Sequence, residues 1–247
     1  MQLSHSHKFI FIHVFKTGGT SIRAGLERFL NRPQRRLCNR VRRRLGWALA
    51  PDLLATLLPH ARAIDVRAVL PPRVFDSYFK FAFVRNPWDW QVSFYSYILQ
   101  NPDHHEHTNV SRLRSFEEFI RYRTDRPVWS QKSFVTDEKD GWLVDFVGRF
   151  ENLQADFAQV CARTRINATL PHLNDSRRAD YRVYYDDRTV AAVREQCRED
   201  VECFGYEFDK PGYGRETAPV FRPADHDRRE ASAIYPLVST ATPGGKL

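Results

Sequence analysis

Little in this 247-residue sequence suits export or a membrane. The segment from Leu45 to Leu58, the most apolar of the later chain, is broken by Pro51 and Asp52, and it falls short of the roughly 20 residues that cross a bilayer. Met1 to His7 is polar where a cleavable leader carries an apolar stretch, so a soluble, cytoplasmic protein is expected. Cysteine is scarce. Cys38, Cys161, Cys197 and Cys203 include no Cys-x-x-Cys pair, so neither a disulfide framework nor a zinc site is expected, and the thiols should be free. Acid is missing between positions 28 and 44, where Arg28, Arg32, Arg35, Arg36, Arg40, Arg42, Arg43 and Arg44 equal the whole net charge of +8. Such an arm either forms a solvated face or recruits an anionic partner. No internal repeat is evident, and no G-x-x-x-x-G-K-[ST] loop occurs, which argues against a nucleoside or sugar kinase.

What is present is enough apolar material, 42% of residues, to bury one sizeable core. A single domain over 1–217 is expected, with 218–247 a tail of proline, charge and small residues that packs loosely or stays disordered. Phe9 to Val14 is an aromatic and β-branched run that reads as a buried strand. It ends in Lys16-Thr17-Gly18-Gly19-Thr20-Ser21, and Ile22, Leu26, Phe29 and Leu30 then follow at helical spacing. Glycines that allow close approach, backbone amides at a helix start, hydroxyls and one lysine together make a cradle for a multiply charged anion.

A second strand-turn-helix unit follows. Phe79 to Arg85 reads as a strand, Asn86-Pro87-Trp88-Asp89 as the turn, and Trp90 to Leu99 as a helix with Pro87 suited to its first turn. Arg85 and Ser93 offer a guanidinium and a hydroxyl for another phosphate. Short helices are expected over Pro51–Leu58 and Ala63–Leu70, and another over Phe116–Tyr122 capped by Ser115. Trp142–Phe150 is expected as a third strand, Glu151–Thr164 as a helix, and a last long helix begins with an Asp187 cap and stops near Gly205. Between Asn101 and Arg114, the residues His104, His105, Glu106 and His107 read as a solvated loop. Adjacent residues cannot all converge on one ion, and no metal is expected.

Phe15-Lys16-Thr17-Gly18-Gly19-Thr20-Ser21 and Phe83-Val84-Arg85-Asn86-Pro87-Trp88-Asp89 with Ser93 resemble the two cofactor motifs of the sulfotransferases that use 3′-phosphoadenosine 5′-phosphosulfate (PAPS). The resemblance is to the branch containing the carbohydrate sulfotransferases, Golgi-type and bacterial. Val147-Gly148-Arg149-Phe150-Glu151-Asn152-Leu153, Leu173-Asn174-Asp175-Ser176 and Phe204-Gly205-Tyr206 extend it over residues 8 to 208, while Trp90 stands where an arginine often follows the aspartate. The resemblance implies an α/β fold, a P-loop-like three-layer sandwich with a central parallel β-sheet flanked by helices. It implies that Lys16 and the loop Thr17, Gly18, Gly19, Thr20 and Ser21 hold the 5′-phosphosulfate, and that Arg85 and Ser93 hold the 3′-phosphate. Asn174, Ser176 and Arg178 are expected to close over the nucleotide.

Catalysis of sulfuryl transfer then rests on positioning and on charge stabilisation by Lys16. His60 lies between the motifs, where the related enzymes place a lysine-histidine pair, and is expected to be the general base. His13 is expected to orient the cradle, and Glu151 either positions substrate or serves a helix N-terminus. The acceptor is a hydroxyl, of a carbohydrate or other molecule, an anionic one included, and no nucleic acid is expected. A non-catalytic polyanion binder would use the arginine arm but leaves both phosphate motifs unexplained.

Overall fold

The computed structural model describes residues 1–30, 60–126, 130–171, 179–210 and 220–221. The arginine arm from Arg32 onward, the expected helix over Pro51–Leu58, and Asn174, Ser176 and Arg178 lie outside them. Five strands, β1 (Gln2–Ser4), β2 (Phe9–Ile12), β3 (Phe79–Val84), β4 (Phe146–Arg149) and β5 (Val220–Phe221), form one sheet in sequential order among the described residues. The centre β2-β3-β4 is parallel, in register Phe11↔Phe81 and Phe81↔Phe146. Antiparallel β1 and β5 close the two edges. The expected central parallel sheet is thus present, with two edge strands that the sequence reading did not include. One of them, β5, comes from the segment read as a tail.

Alternation along the strands separates two hydrophobic layers, because successive side chains point to opposite faces. Phe9, Phe11, Phe81, Phe83 and Phe146 face one side, where they meet Ile22 and Leu26 of α1 (Gly19–Leu26) and Phe157 and Val160 of α7 (Leu153–Thr164). The rings pack on one another, Phe11 against Phe81 at 5.2 Å between centroids. Full burial of each such ring contributes about 1.5–3 kcal/mol. Ile10, Ile12, Ala82, Val84 and Val147 face the other side. There they pack with α2 (Ala63–Val69), α3 (Pro72–Ser77), α4 (Pro87–Gln100) and α6 (Phe116–Thr124). Helix, sheet and helix make the expected three layers.

Several local expectations are corrected. The third strand is Phe146–Arg149, shorter than Trp142–Phe150, because Phe150–Asn152 turns as a 3-10 helix into α7. The polar loop after Asn101 contains a one-turn helix, α5 (His107–Val110), whose Val110 is buried. The last long helix is two, α8 (Asp187–Gln196) and α9 (Arg198–Phe204), broken at Cys197. Its cap is Asp186, whose carboxylate accepts the Thr189 N–H at 2.8 Å, rather than Asp187. Gly205 ends α9 in the left-handed region at φ 64. No helix among the described residues is long and apolar enough to cross a membrane.

Candidate active site

The cradle begins where β2 stops. Val14 is buried, and its carbonyl accepts the Thr17 hydroxyl at 2.8 Å. The Thr17 side chain is therefore used to shape the loop, and its contribution to an anion reduces to its amide. Lys16 sits in the left-handed region at φ 61, a conformation that costs a non-glycine residue about 1–2 kcal/mol. That strain lies at the lysine which the family resemblance assigns to the phosphosulfate. Gly18, at φ 82, caps α1 with no side-chain hydrogen bond. The first-turn amides of α1 have no acceptor within the helix, and the helix dipole adds positive potential at the same point.

Gly19 is there for a different reason. A Cβ at this position would lie 1.8 Å from His13 Nε2, so the imidazole occupies the space of the missing side chain. His13 is buried, its ring centroid is 4.4 Å from that of His60, and its carbonyl meets His60 Nδ1 at 3.1 Å. A carbonyl only accepts, so the His60 proton resides on Nδ1 and the Nε2 lone pair is available. Burial and the neighbouring His60, chain terminus and Arg23 hold His13 down to about 3. His60 is also lowered, chiefly by desolvation, although the His13 carbonyl opposes this. Both rings are therefore neutral at neutral pH.

The depressed His13 has a consequence for stability. Its ordinary value is 6.5, so below that pH the unfolded chain takes up a proton that the folded chain refuses. Stability from this group is present above 6.5 and is lost as pH falls toward 3. Between about pH 7.5 and about pH 5 the loss amounts to about 2 kcal/mol. Urea unfolding at the two pH values should show His13→Gln losing less stability than wild type by that amount; parallel losses would contradict the assignment.

The second motif is built at the end of β3. Arg85 is buried, its Nε donates to the Asp89 carboxylate at 2.7 Å, and its guanidinium lies 3.8 Å over the Phe150 ring. Asn86 caps α4 by accepting the N–H of Trp88 at 3.0 Å, with Pro87 in the first turn. Asp89, Ser93 and Tyr97 follow at four-residue intervals and share one face of α4. Arg85 engages the first of them, and Lys16 Nζ stands 4.2 Å over the ring of the last. The two motifs also touch directly, since Arg85 Nη1 donates to the Lys16 carbonyl at 3.0 Å. Lys16 and Arg85 therefore lie together beside the N-terminus of α1, with Ser93 on the α4 face between Asp89 and Tyr97 and His60 against the His13 carbonyl.

Other residues support this arrangement in ways the sequence did not show. Trp90 is buried, and its indole N–H donates to the Phe15 carbonyl at 2.8 Å while the ring packs on Phe15 at 4.6 Å. The residue that departs from the usual arginine thus holds the cradle from behind. Glu151 is half-buried and turns inward. It accepts the Asn86 N–H at 2.5 Å and the Tyr206 hydroxyl at 3.2 Å, and burial pushes its carboxyl above the usual range. It braces the second motif. His104 and His105 stack on one another at 4.5 Å, and His104 also edges onto Phe94 and Tyr97.

A fit to a bisphosphorylated nucleotide rests on these observations. The N-terminus of α1 begins at the loop, and two cations, Arg85 on Asp89 and Lys16 over Tyr97, lie at either end of one face of α4. Comparison with known proteins places the chain. The family model described as the Sulfotransferase family matches residues 1–207. An uncharacterized protein of Archaeoglobus fulgidus is 31% identical over 99 residues, covering 38% of this chain and 74% of that protein. Among solved structures, mouse sulfotransferase SULT7A1 complexed with PAP is similar with a TM-score of 0.47 and 14% identity, over 81% of this chain and 86% of that one.

Proposed function

The chain belongs to the sulfotransferase family, and on that premise we propose that it moves a sulfuryl group from PAPS to a carbohydrate hydroxyl. The observation that carries the reading is the hydrogen bond from Arg85 to the Lys16 carbonyl. It brings the two motifs, far apart in sequence, into direct contact, as one bisphosphorylated ligand held by both would require. The donor supplies an activated sulfuryl group and a stable leaving phosphate. Lys16 and the amides of Thr17 to Ser21 hold the 5′ end, and Arg85 with Ser93 holds the 3′-phosphate.

His60 Nε2 takes the proton of the acceptor hydroxyl as the acceptor oxygen bonds to sulfur. The electron pair of the breaking S–O bond stays on the departing phosphate oxygen, where Lys16 and the α1 dipole stabilise it. Support for a sugar acceptor comes from the family resemblance and from Tyr97. That ring is 40% exposed beside Lys16, and a flat aromatic face suits stacking against a sugar ring. A cytoplasmic location belongs to the same proposal and is supported by Cys161, Cys197 and Cys203, which are free thiols among the described residues, as suits a reducing compartment.

Thermal denaturation tests the donor. Adenosine 3′,5′-bisphosphate at about 100 times its dissociation constant should add about 2.7 kcal/mol to stability, whereas ATP with magnesium should add far less. Selective stabilisation by ATP would overturn the proposal in favour of a kinase.

A further inference from the structure

The end of β3 poses a problem of backbone satisfaction. The parallel ladder with β4 stops at Val84↔Arg149, so the N–H and C=O of Arg85 lie beyond any strand partner, and Arg85 is buried. Buried peptide groups need partners. Both come from one side chain. Gln131 Oε1 accepts the Arg85 N–H at 2.8 Å, and Gln131 Nε2 donates to the Arg85 carbonyl at 2.8 Å. A primary amide is the neutral side-chain group that both donates and accepts as a peptide does, so Gln131 replaces a neighbouring strand for one residue.

Gln131 is itself fixed. It is fully buried, and its N–H donates to Asp200 Oδ2 at 2.9 Å, while the Lys132 N–H donates to Oδ1 at 2.8 Å. Asp200, from α9, is fully buried as well. A connected path therefore runs from Asp200 through Gln131 to the backbone that carries the Arg85 guanidinium.

We propose that Gln131, seated by Asp200, is a positioning residue that sets the Arg85 side chain for the 3′-phosphate of the nucleotide. This rests on the assignment of Arg85 to that phosphate. Neither residue touches the nucleotide. Their effect reaches it through the direction of the Arg85 side chain, and small displacements of a positioning group cost large factors in binding and rate.

Titration calorimetry with adenosine 3′,5′-bisphosphate and with adenosine 5′-phosphate separates this role from simple structural support. Wild type should bind the bisphosphate more tightly, the ratio of the two affinities measuring the 3′-phosphate contribution. Gln131→Ala should cut that ratio by about tenfold or more while leaving adenosine 5′-phosphate affinity within about twofold, the size expected for a lost charge-assisted contact. Gln131→Glu keeps the acceptor and loses the donor. It should cut the ratio too, and it supplies the same readout if the alanine variant does not fold. Equal weakening of both ligands, or an unchanged ratio in a folded variant, would overturn the inference. A wild-type protein that does not discriminate between the ligands would instead overturn the Arg85 assignment beneath it.

Discussion

His60→Ala is expected to lower turnover by about 10²–10⁴-fold, the usual contribution of a general base, while adenosine 3′,5′-bisphosphate binds as in wild type. The expectation follows from three features of the ring. Its Nδ1 faces the His13 carbonyl at 3.1 Å, which fixes the tautomer and leaves Nε2 as the basic nitrogen. Desolvation lowers its pKa from 6.5, so the base is unprotonated at neutral pH. It also lies against Phe15 of the cradle, at 6.0 Å between ring centroids. The pH profile sharpens the expectation. Because the neutral form is the active one, the acidic limb of turnover in wild type should fall below 6.5. A His60→Ala variant with wild-type turnover would remove this residue from the mechanism.

Lys16→Ala should lower turnover by about 10²–10³-fold, as loss of one preorganised charge-stabilising donor does. The lysine is held in a left-handed backbone conformation at φ 61, and its carbonyl is fixed by Arg85. Little reorganisation is then needed when charge develops on the leaving phosphate. The Lys16 Nζ stands 4.2 Å over the half-exposed Tyr97 ring. Lys16→Arg keeps the charge but changes its reach, and it should recover only part of the loss. Equal turnover in wild type and Lys16→Ala, measured at saturating donor, would show that the lysine stabilises nothing in the transition state.

What could be read in advance was local. The strand-turn-helix at Lys16 to Ser21, the strand from Phe79 and the caps at Ser115 and Gly205 are contiguous patterns of residue type, and they occur in the structure where the sequence puts them, except that the strand stops at Val84, one residue before Arg85. The α/β sandwich was implied by the family resemblance, and the structure agrees with it, with Phe9 and Phe11 covered on one face of the sheet and Ile10 and Ile12 on the other. The edge strands were less accessible. β1 lies in a polar segment, and β5 is two residues whose pairing depends on the distant Phe146 and Val147.

The supporting shell was invisible for a related reason. Gln131, Asp200, Glu151 and Tyr206 reach the second motif from separate segments, and no spacing marks a glutamine that completes a strand's hydrogen bonding. His13 was expected to orient the loop, and its packing against Gly19 appears only when the imidazole is seen in the place of the missing Cβ. Trp90 looked like a departure from the family pattern. Its bond to the Phe15 carbonyl shows a large side chain serving the cradle directly.

Sulfuryl transfer itself is the direct test of the account. Incubation with radiolabelled PAPS and a panel of glycan, glycolipid and phenolic acceptors should yield a labelled carbohydrate and adenosine 3′,5′-bisphosphate with the wild-type protein. The Lys16→Ala and His60→Ala variants should give almost none. If no acceptor in the panel becomes labelled while a phosphoryl group is transferred from ATP and magnesium, the account is contradicted.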